Sequence, residues 1–292
     1  MNITMHKINI DNLTLEEVKS RAHDDARLFC TESKISELTE VNTSCNLAYI
    51  NYNTNIDFIE FTINNNPFGI YDKLSVDKDP NKMMSTDYSF PINTVSNNVV
   101  VYFDEYVDYI NKNYDFTKIK GNIEYRDKQK KTGTYKNIRK FFTLPEESKL
   151  KDPPLLGHLR IEPKKWVNKV PSKSYELMIK RLDEDINENV SSFKELLSCF
   201  PKRSSYKVFV KATKLHTCYK NYGEEYKMCW QIFGAKQVNV AIDSQKILKN
   251  LLLEDEQSDN PQNGILDRDI QIIDQNETTE QINPDFNIDE DL

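Results

Sequence analysis

Charge is distributed unevenly along this 292-residue chain, and the distribution limits which parts of it can fold. Residues 254–292 carry thirteen acidic residues and a single base, Arg268. Such a segment has too few large apolar residues to build a core, so it is predicted to be a disordered, flexible acidic tail. Residues 1–253 are predicted to be the folded region, which is long enough for one large or two small domains.

The charges are sorted within the folded region as well. Residues 117–181 carry eighteen Lys and Arg against seven Asp and Glu, whereas residues 1–116 carry nine against eighteen. A basic segment attracts polyanions at long range, and nucleic acid is the commonest polyanion in a cell. The acidic tail is expected to compete for the same basic surface. The alternative is a solvated surface with a tail that only increases solubility.

The composition favours an intracellular protein that is not inserted in a membrane. No apolar run approaches the ~20 residues that span a bilayer, and the N-terminus lacks the apolar segment of a signal peptide. Five cysteines at scattered positions indicate reduced thiols.

The hydrophobic periodicity predicts an α+β fold with a mostly antiparallel sheet, which could close into an OB-like barrel. Thr14 and Glu17 form a capping-box pattern that begins a helix over 14–29. A stripe of apolar residues from Met178 to Phe200 predicts a long helix that begins after Ser174 and ends at Pro201.

Alternating or β-branched runs predict the strands. Single strands are predicted over 46–51, 56–63 and 99–103. Residues 206–217 and 226–233 are predicted to pair as a β-hairpin around a turn at 221–223, and the helix and hairpin together cover 174–242. The basic residues 117–173 lie before this helix. Glycines and prolines interrupt them, and they are predicted to form short strands and long loops.

Signatures of enzymes are mostly missing. With seven glycines the chain has no phosphate-binding loop, and its four histidines and five cysteines lack the spacing of a zinc site. We therefore expect a protein that is not an enzyme and that uses neither cofactor nor metal. His23-Asp24-Asp25 is the one seed for an alternative, a metal-dependent nuclease or another enzyme of nucleic-acid metabolism.

The basic middle interleaves cations with aromatic rings, as single-strand binding requires. Cationic groups neutralise phosphates, and rings stack on unpaired bases. Because the chain has 31 Lys and only eight Arg, contacts with phosphate are favoured over reading of base edges. The candidate nucleic-acid-binding residues are Lys128, Lys130, Lys131, Tyr135, Lys136, Arg139, Lys140, Phe141, Lys164, Lys165, Trp166 and Lys169, with Lys207, Lys211 and Lys214 from the hairpin. The other alternative is that the protein is a structural or scaffold protein whose basic region binds an acidic protein partner.

The tail ends in a short acidic segment that contains Phe286 and Ile288. Acidic ends with an aromatic residue are typical of single-stranded DNA-binding proteins that dock replication partners. We therefore assign Phe286 and Ile288 as candidate partner-binding residues. A disordered acidic end without a partner is the alternative.

Four segments resemble a known family. They are NPFGIYDKL at 66–74, TDYSF at 86–90, PPLLGHLRIEP at 153–163 and WQIFG at 230–234. With them the chain resembles the single-stranded DNA-binding proteins (DBP) of baculoviruses and related large insect DNA viruses. The resemblance implies a protein that coats and helps destabilise DNA during viral genome replication, that works in the host nucleus and that forms homo-oligomers. It implies no binding residues, so the candidates above depend on charge and aromatic content.

Overall fold

The structure, a computed structural model, has two long helices on one face of a large open sheet. It describes residues 9–42, 45–54, 57–69, 88–121, 125–126, 132–144, 155–162, 166–167, 170–171, 177–181, 188–190, 193–218 and 224–239. The helices are α1 (Leu15–Glu32), α2 (Asn97–Asn113) and the short α3 (Phe193–Cys199). The described residues therefore form a mixed α+β fold, and the strands among them make an open, mostly antiparallel sheet.

Fifteen strands are present in the described ranges. In chain order they are β1 (Ser33–Ile35), β2 (Thr39–Asn42), β3 (Cys45–Tyr52), β4 (Ile59–Asn66), β5 (Tyr88–Ile92), β6 (Tyr125–Arg126), β7 (Thr132–Gly133), β8 (Asn137–Ile138), β9 (Gly157–Ile161), β10 (Trp166–Val167), β11 (Val170–Pro171), β12 (Met178–Lys180), β13 (Glu188–Asn189), β14 (Ser204–Cys218) and β15 (Glu225–Asn239). Eleven of them form the main sheet, and β6 with β7 and β10 with β11 form two small ribbons.

The hairpin of β14 and β15 is the centre of the sheet. On its free side β14 pairs with β3 and then with β4, both antiparallel. On the other side β15 pairs in parallel with β8, β9 and β12, one after another along its length. The predicted hairpin is thus confirmed, while its turn at 221–223 lies outside the described residues.

The core lies between the sheet and the two long helices. Phe103 and Tyr106 of α2 contact the ring of Trp230 on β15, with ring centroids 4.9 and 5.2 Å apart. Phe29 of α1 is fully buried beside Tyr106. These aromatic contacts fix the helices on one face of the hairpin and leave the other face without helix cover from α1 or α2.

Helix α1 is confirmed, and its beginning follows from local chemistry. The Thr14 hydroxyl accepts a hydrogen bond from the backbone N–H of Glu17, and the Glu17 carboxylate accepts one from the N–H of Thr14. This reciprocal capping box satisfies two backbone donors that no helical carbonyl can reach.

The predicted strand over 99–103 is wrong, because these residues lie in α2. The run of three valines favours a strand locally. However, the buried positions of the segment recur at intervals of three and four, as on one face of a helix. They are Val99, Tyr102, Phe103, Tyr106, Val107 and Ile110.

The long helix predicted from Ser174 to Pro201 is also wrong. Residues 178–180 form strand β12, in which Met178 is exposed and Ile179 is buried, and only Phe193–Cys199 is helical. The spacing of the apolar residues is compatible with a helix. However, residues 178–180 form backbone hydrogen bonds with the edge of β15 as a parallel strand. Tertiary pairing has therefore overridden the local pattern.

Candidate nucleic-acid interface

The central hairpin has one apolar face and one basic face. Val208 and Val210 of β14 are fully buried toward the helices. Lys207 and Lys211 alternate with them and point to the opposite side of the sheet, which we call the outer face. Lys207 and Lys211, two of the candidate residues from the hairpin, therefore lie on one face.

A β-bulge brings two more basic side chains to the outer face. Strict alternation after Lys211 would turn Lys214 and His216 toward the core. The register shifts between Ala212 and Lys214, so that Lys214 lies opposite Cys229 and His216 lies opposite Lys227. The extra residue of a bulge changes the side to which the following residues point, and here it keeps the side chains of Lys214 and His216 away from the helices.

Strand β9 extends the basic surface beyond the hairpin. Leu159 is paired with Trp230 and is buried on the inner side, so its neighbours His158 and Arg160 lie on the outer face. Arg139 follows β8 directly and is placed there by a backbone hydrogen bond from its N–H to Tyr226. We call the set that results the basic row; its members are Arg139, His158, Arg160, Lys214, His216 and Lys227.

Two histidines of the basic row are held neutral. Burial, and after it the positive charges of Lys227, Arg160 and Arg139, lower the pKa of His158 to about 3. Burial followed by the charges of Arg160, Lys227 and Lys214 lowers the pKa of His216 to about 4. Burial is the main cause of both shifts, and the positive charges of Arg139, Arg160, Lys214 and Lys227 add to it because these groups lie close to the histidines. A bound anion would be favourable beside such a group of positive charges.

Two lysines on the outer face are paired with buried carboxylates. Lys214 Nζ lies 2.8 Å from Glu162 Oε1, and both residues are buried. Lys207 Nζ lies 3.0 Å from Glu60 Oε1. These pairs make Lys214 and Lys207 fixed parts of the surface. Lys211 Nζ lies 4.8 Å from the centroid of the Tyr52 ring, and Lys236 is exposed.

Positive charge nevertheless dominates the outer face. Counted over the hairpin and the described strands that pair directly with it, the register assigns eight Lys and Arg and three Glu to this side. The bases are Arg139, Arg160, Lys180, Lys207, Lys211, Lys214, Lys227 and Lys236, and the acids are Glu60, Glu162 and Glu225.

Tyr135 and Phe141 do not fit the role predicted for them. Tyr135 is 3% exposed and its ring lies 5.4 Å from that of Tyr226, so it is a core residue and not a stacking surface. Phe141 is half-buried and stacks on Phe103 at 4.5 Å. The lysines next to these rings in sequence, Lys136 and Lys140, are exposed, whereas the rings pack against other aromatic residues.

Lys140 also lies elsewhere. Its Nζ is 3.0 Å from Asp104 Oδ2 on α2, and this hydrogen bond raises the pKa of Lys140. Lys140 therefore belongs to the surface of α2 and not to the basic row. Lys136 is exposed beside β8.

The remaining candidates are outside what the structure describes. For Trp166 only the backbone, in β10, is described. The others that lie outside the described residues are Lys128, Lys130, Lys131, Lys164, Lys165, Lys169, Phe286 and Ile288.

The His23–Asp25 segment is divided between two environments. His23 Nε2 is 3.1 Å from Glu105 Oε2 on the surface, whereas Asp25 is buried and accepts hydrogen bonds from Arg21 at 2.8 Å and the Tyr102 hydroxyl at 2.7 Å. Within the described ranges no group of three or more His, Cys, Asp or Glu is arranged to hold a metal ion.

The sequence reasoning missed Arg160, His158 and His216 as site residues. A signal for the first two was present in Gly157–Ile161, where His158 and Arg160 alternate with residues that are buried. The signal for His216 was hidden, because it depends on the bulge at Ala212–Lys214.

Comparison with known proteins adds no identity to this geometry. The chain matches no model of a known protein family, and no curated protein matches it either. The resemblance to baculovirus DBP therefore stays a prediction. In the part of the chain that the structure describes, no helix is long and apolar enough to cross a membrane.

Proposed function

We propose that the protein binds single-stranded DNA across the outer face of its central hairpin, without strong sequence preference. The observation that carries this proposal is the basic row, in which cations from β9, the hairpin and the residue after β8 come together. Across the sheet the row runs over β9, β15 and β14, and Tyr49 of β3 continues the line on a fourth strand. Arg139 lies beside β8, which pairs with β15 on the same side as β9 does. With strands about 4.8 Å apart, four strands span about 14 Å.

The positive charge of the outer face favours contacts with phosphate groups over recognition of a specific base sequence. Phosphate neutralisation by Lys and Arg releases counterions and gives affinity that does not depend on sequence. Lysines outnumber arginines on the outer face, and an ammonium group makes point contacts and not the bidentate contacts that read guanine.

The resemblance supplies the biological setting of the proposal. A protein similar to baculovirus DBP would coat viral DNA and help to destabilise it during replication in the host nucleus, as a homo-oligomer. The acidic tail would be flexible and would dock other replication proteins. An OB-like closure of the sheet would need segments outside the described residues, and it stays a prediction.

Substitution of the basic row tests the proposal. We expect Arg160→Gln and Lys227→Gln each to flatten the plot of log affinity for oligo-dT against log salt by about 0.7, the slope per phosphate neutralised on a single strand. Lys112→Gln is the matched control, because Lys112 is an exposed lysine on α2, on the other side of the sheet. Fluorescence anisotropy at four salt concentrations gives the slopes, and thermal melting checks that each variant is folded.

Equal slopes for all three variants and the wild type would contradict the proposal. The same assay addresses the alternative functions. Cleavage of the oligonucleotide that EDTA stops would indicate a nuclease, and retention of an acidic protein with no affinity for oligo-dT would indicate a scaffold.

A further inference from the structure

Tyr49 is an exposed aromatic side chain at the end of the basic row. It is 49% exposed, more than any other aromatic side chain whose exposure the structure describes. A single exposed ring is common on protein surfaces, so a role for Tyr49 depends on what lies beside it.

The register of β3 places Tyr49 on the outer face. Tyr49 lies directly opposite Lys214 in the antiparallel pair of β3 and β14, and paired residues point to the same side of a sheet. Lys214 is a member of the basic row, so the ring and the cations of the row lie next to each other.

The ring is held in place from beneath. Lys214 Nζ lies 5.6 Å from the centroid of the Tyr49 ring, within the range of a cation–π contact. Lys214 is itself fixed by its ion pair with Glu162 at 2.8 Å and is 6% exposed. A buried, paired ammonium group gives the ring a defined position at little further entropic cost.

The backbone at Tyr49 is also fixed on both sides. Its N–H donates to the Ser36 hydroxyl at 2.8 Å, and its carbonyl accepts from the Ser36 N–H at 2.9 Å. On the other edge, β3 pairs with β14. Tyr49 is therefore an exposed ring on a rigid strand, which is what a stacking platform requires.

We propose that Tyr49 stacks on an unpaired base and gives the outer face its preference for single-stranded over duplex DNA. The inference rests on the proposed function of the basic row. In a duplex each base face already contacts its neighbours, so a ring on the protein surface reaches only the backbone. On a single strand a base can turn onto the ring while its phosphates contact the cations beside it.

Stacking and phosphate contacts have different dependence on salt. Stacking releases no counterions from phosphates, so loss of the ring lowers affinity at every salt concentration without changing the slope. Loss of a cation changes the slope. This difference separates a platform from another electrostatic residue.

The experiment compares Tyr49→Ala, Tyr49→Phe and Arg160→Gln in the full-length protein, with oligo-dT and with a blunt duplex of equal length. We expect Tyr49→Ala to weaken binding of oligo-dT roughly 5- to 100-fold, with an unchanged salt slope and unchanged duplex affinity. Tyr49→Phe keeps the ring and should bind oligo-dT nearly as the wild type does. Arg160→Gln should weaken binding of both ligands and flatten both slopes.

Two outcomes would overturn the role of Tyr49 while the proposed function stands. One is wild-type affinity of Tyr49→Ala for oligo-dT; the other is an equal loss for oligo-dT and duplex. A melting temperature close to that of the wild type, measured on the same samples, establishes that the variant is folded; if Tyr49→Ala does not fold, Tyr49→Ser and Tyr49→Leu replace it. Failure of the wild type to bind either ligand would instead refute the proposed function.

Discussion

The role of a single side chain in this protein depends on the strand that lies beside it and not on its neighbours in sequence. Tyr135 is followed by Lys136 in the basic segment, yet it is buried against Tyr226. Tyr49 has no basic neighbour in sequence, yet Lys214 lies across the strand from it. The charge content of the sequence therefore predicts a basic surface. Which aromatic rings lie beside that surface depends on strand pairing, and the sequence alone does not show the pairing.

The two histidines of the basic row should make stability depend on pH. Their folded pKa values, about 3 for His158 and about 4 for His216, lie below the ordinary value of 6.5. At pH values between the folded pKa and 6.5, each histidine binds a proton more readily in the unfolded chain than in the folded protein. The stability that the neutral histidines give the fold is therefore fully present above pH 6.5 and is lost as the pH falls toward 4.

We expect His216→Gln to reduce this loss. Between pH 7 and pH 4.5 the wild type should lose about 2 kcal/mol more of its free energy of unfolding than the variant does. Urea denaturation at the two pH values measures both. His23→Gln is the control, since His23 lies on the helix surface beside Glu105; an equal loss in wild type and His216→Gln would show that His216 does not titrate on unfolding.

At the scale of secondary-structure elements, prediction succeeded where local chemistry decides and failed where pairing decides. The capping box at Thr14 and the alternation in β14 are local signals, and both elements are confirmed. The valines at 99–101 and the apolar residues at 178–200 fit either a helix or a strand. Residues 99–101 are helical because α2 packs its apolar face on the sheet, and residues 178–180 form a strand because they pair with β15.

The position of β9 depends on a glycine. A Cβ at Gly157 would lie 2.6 Å from Phe141 and 2.8 Å from Phe142, closer than carbon atoms approach without rearrangement. We expect Gly157→Ala to lower the free energy of unfolding by about 1–3 kcal/mol, the usual cost of overpacking. The measurement is urea denaturation.

Gly234→Ala is the matched control for that substitution. Gly234 also lies in a strand of the main sheet, but a Cβ there would be 3.2 Å from Phe209, a contact that a small shift relieves. It should change the free energy of unfolding by less than about 1 kcal/mol. Equal effects of the two substitutions would show that Phe141 and Phe142 yield to the added methyl group.

At the scale of the whole molecule, the basic outer face and the acidic residues 254–292 are oppositely charged parts of one chain. The sequence predicts that residues 254–292 are a flexible tail, and such a tail would have a high effective concentration near the basic row, so that weak contacts would be enough to occupy it. The tail would then compete with DNA, most strongly at low salt, where charges are screened least.

Truncation after Leu253 tests this competition. We expect the truncated protein to bind oligo-dT more tightly than the full chain at low ionic strength, with the difference disappearing at high salt. Binding of any replication partner that uses Phe286 should be lost. Equal affinities at low ionic strength would rule out competition by the tail, and unfolding of the truncated protein would show that the tail is structural.

The central position of the hairpin has a consequence for how the chain folds during synthesis. β14 and β15 occupy residues 204–239, yet they pair with strands as early as Cys45–Tyr52. Those early strands leave the ribosome long before the strand that completes their hydrogen bonding exists. Until β14 has emerged as far as Cys218, the edges that β3 and β4 present to it stay open to wrong partners. We therefore expect slow folding and a need for protection from aggregation while the chain is being made.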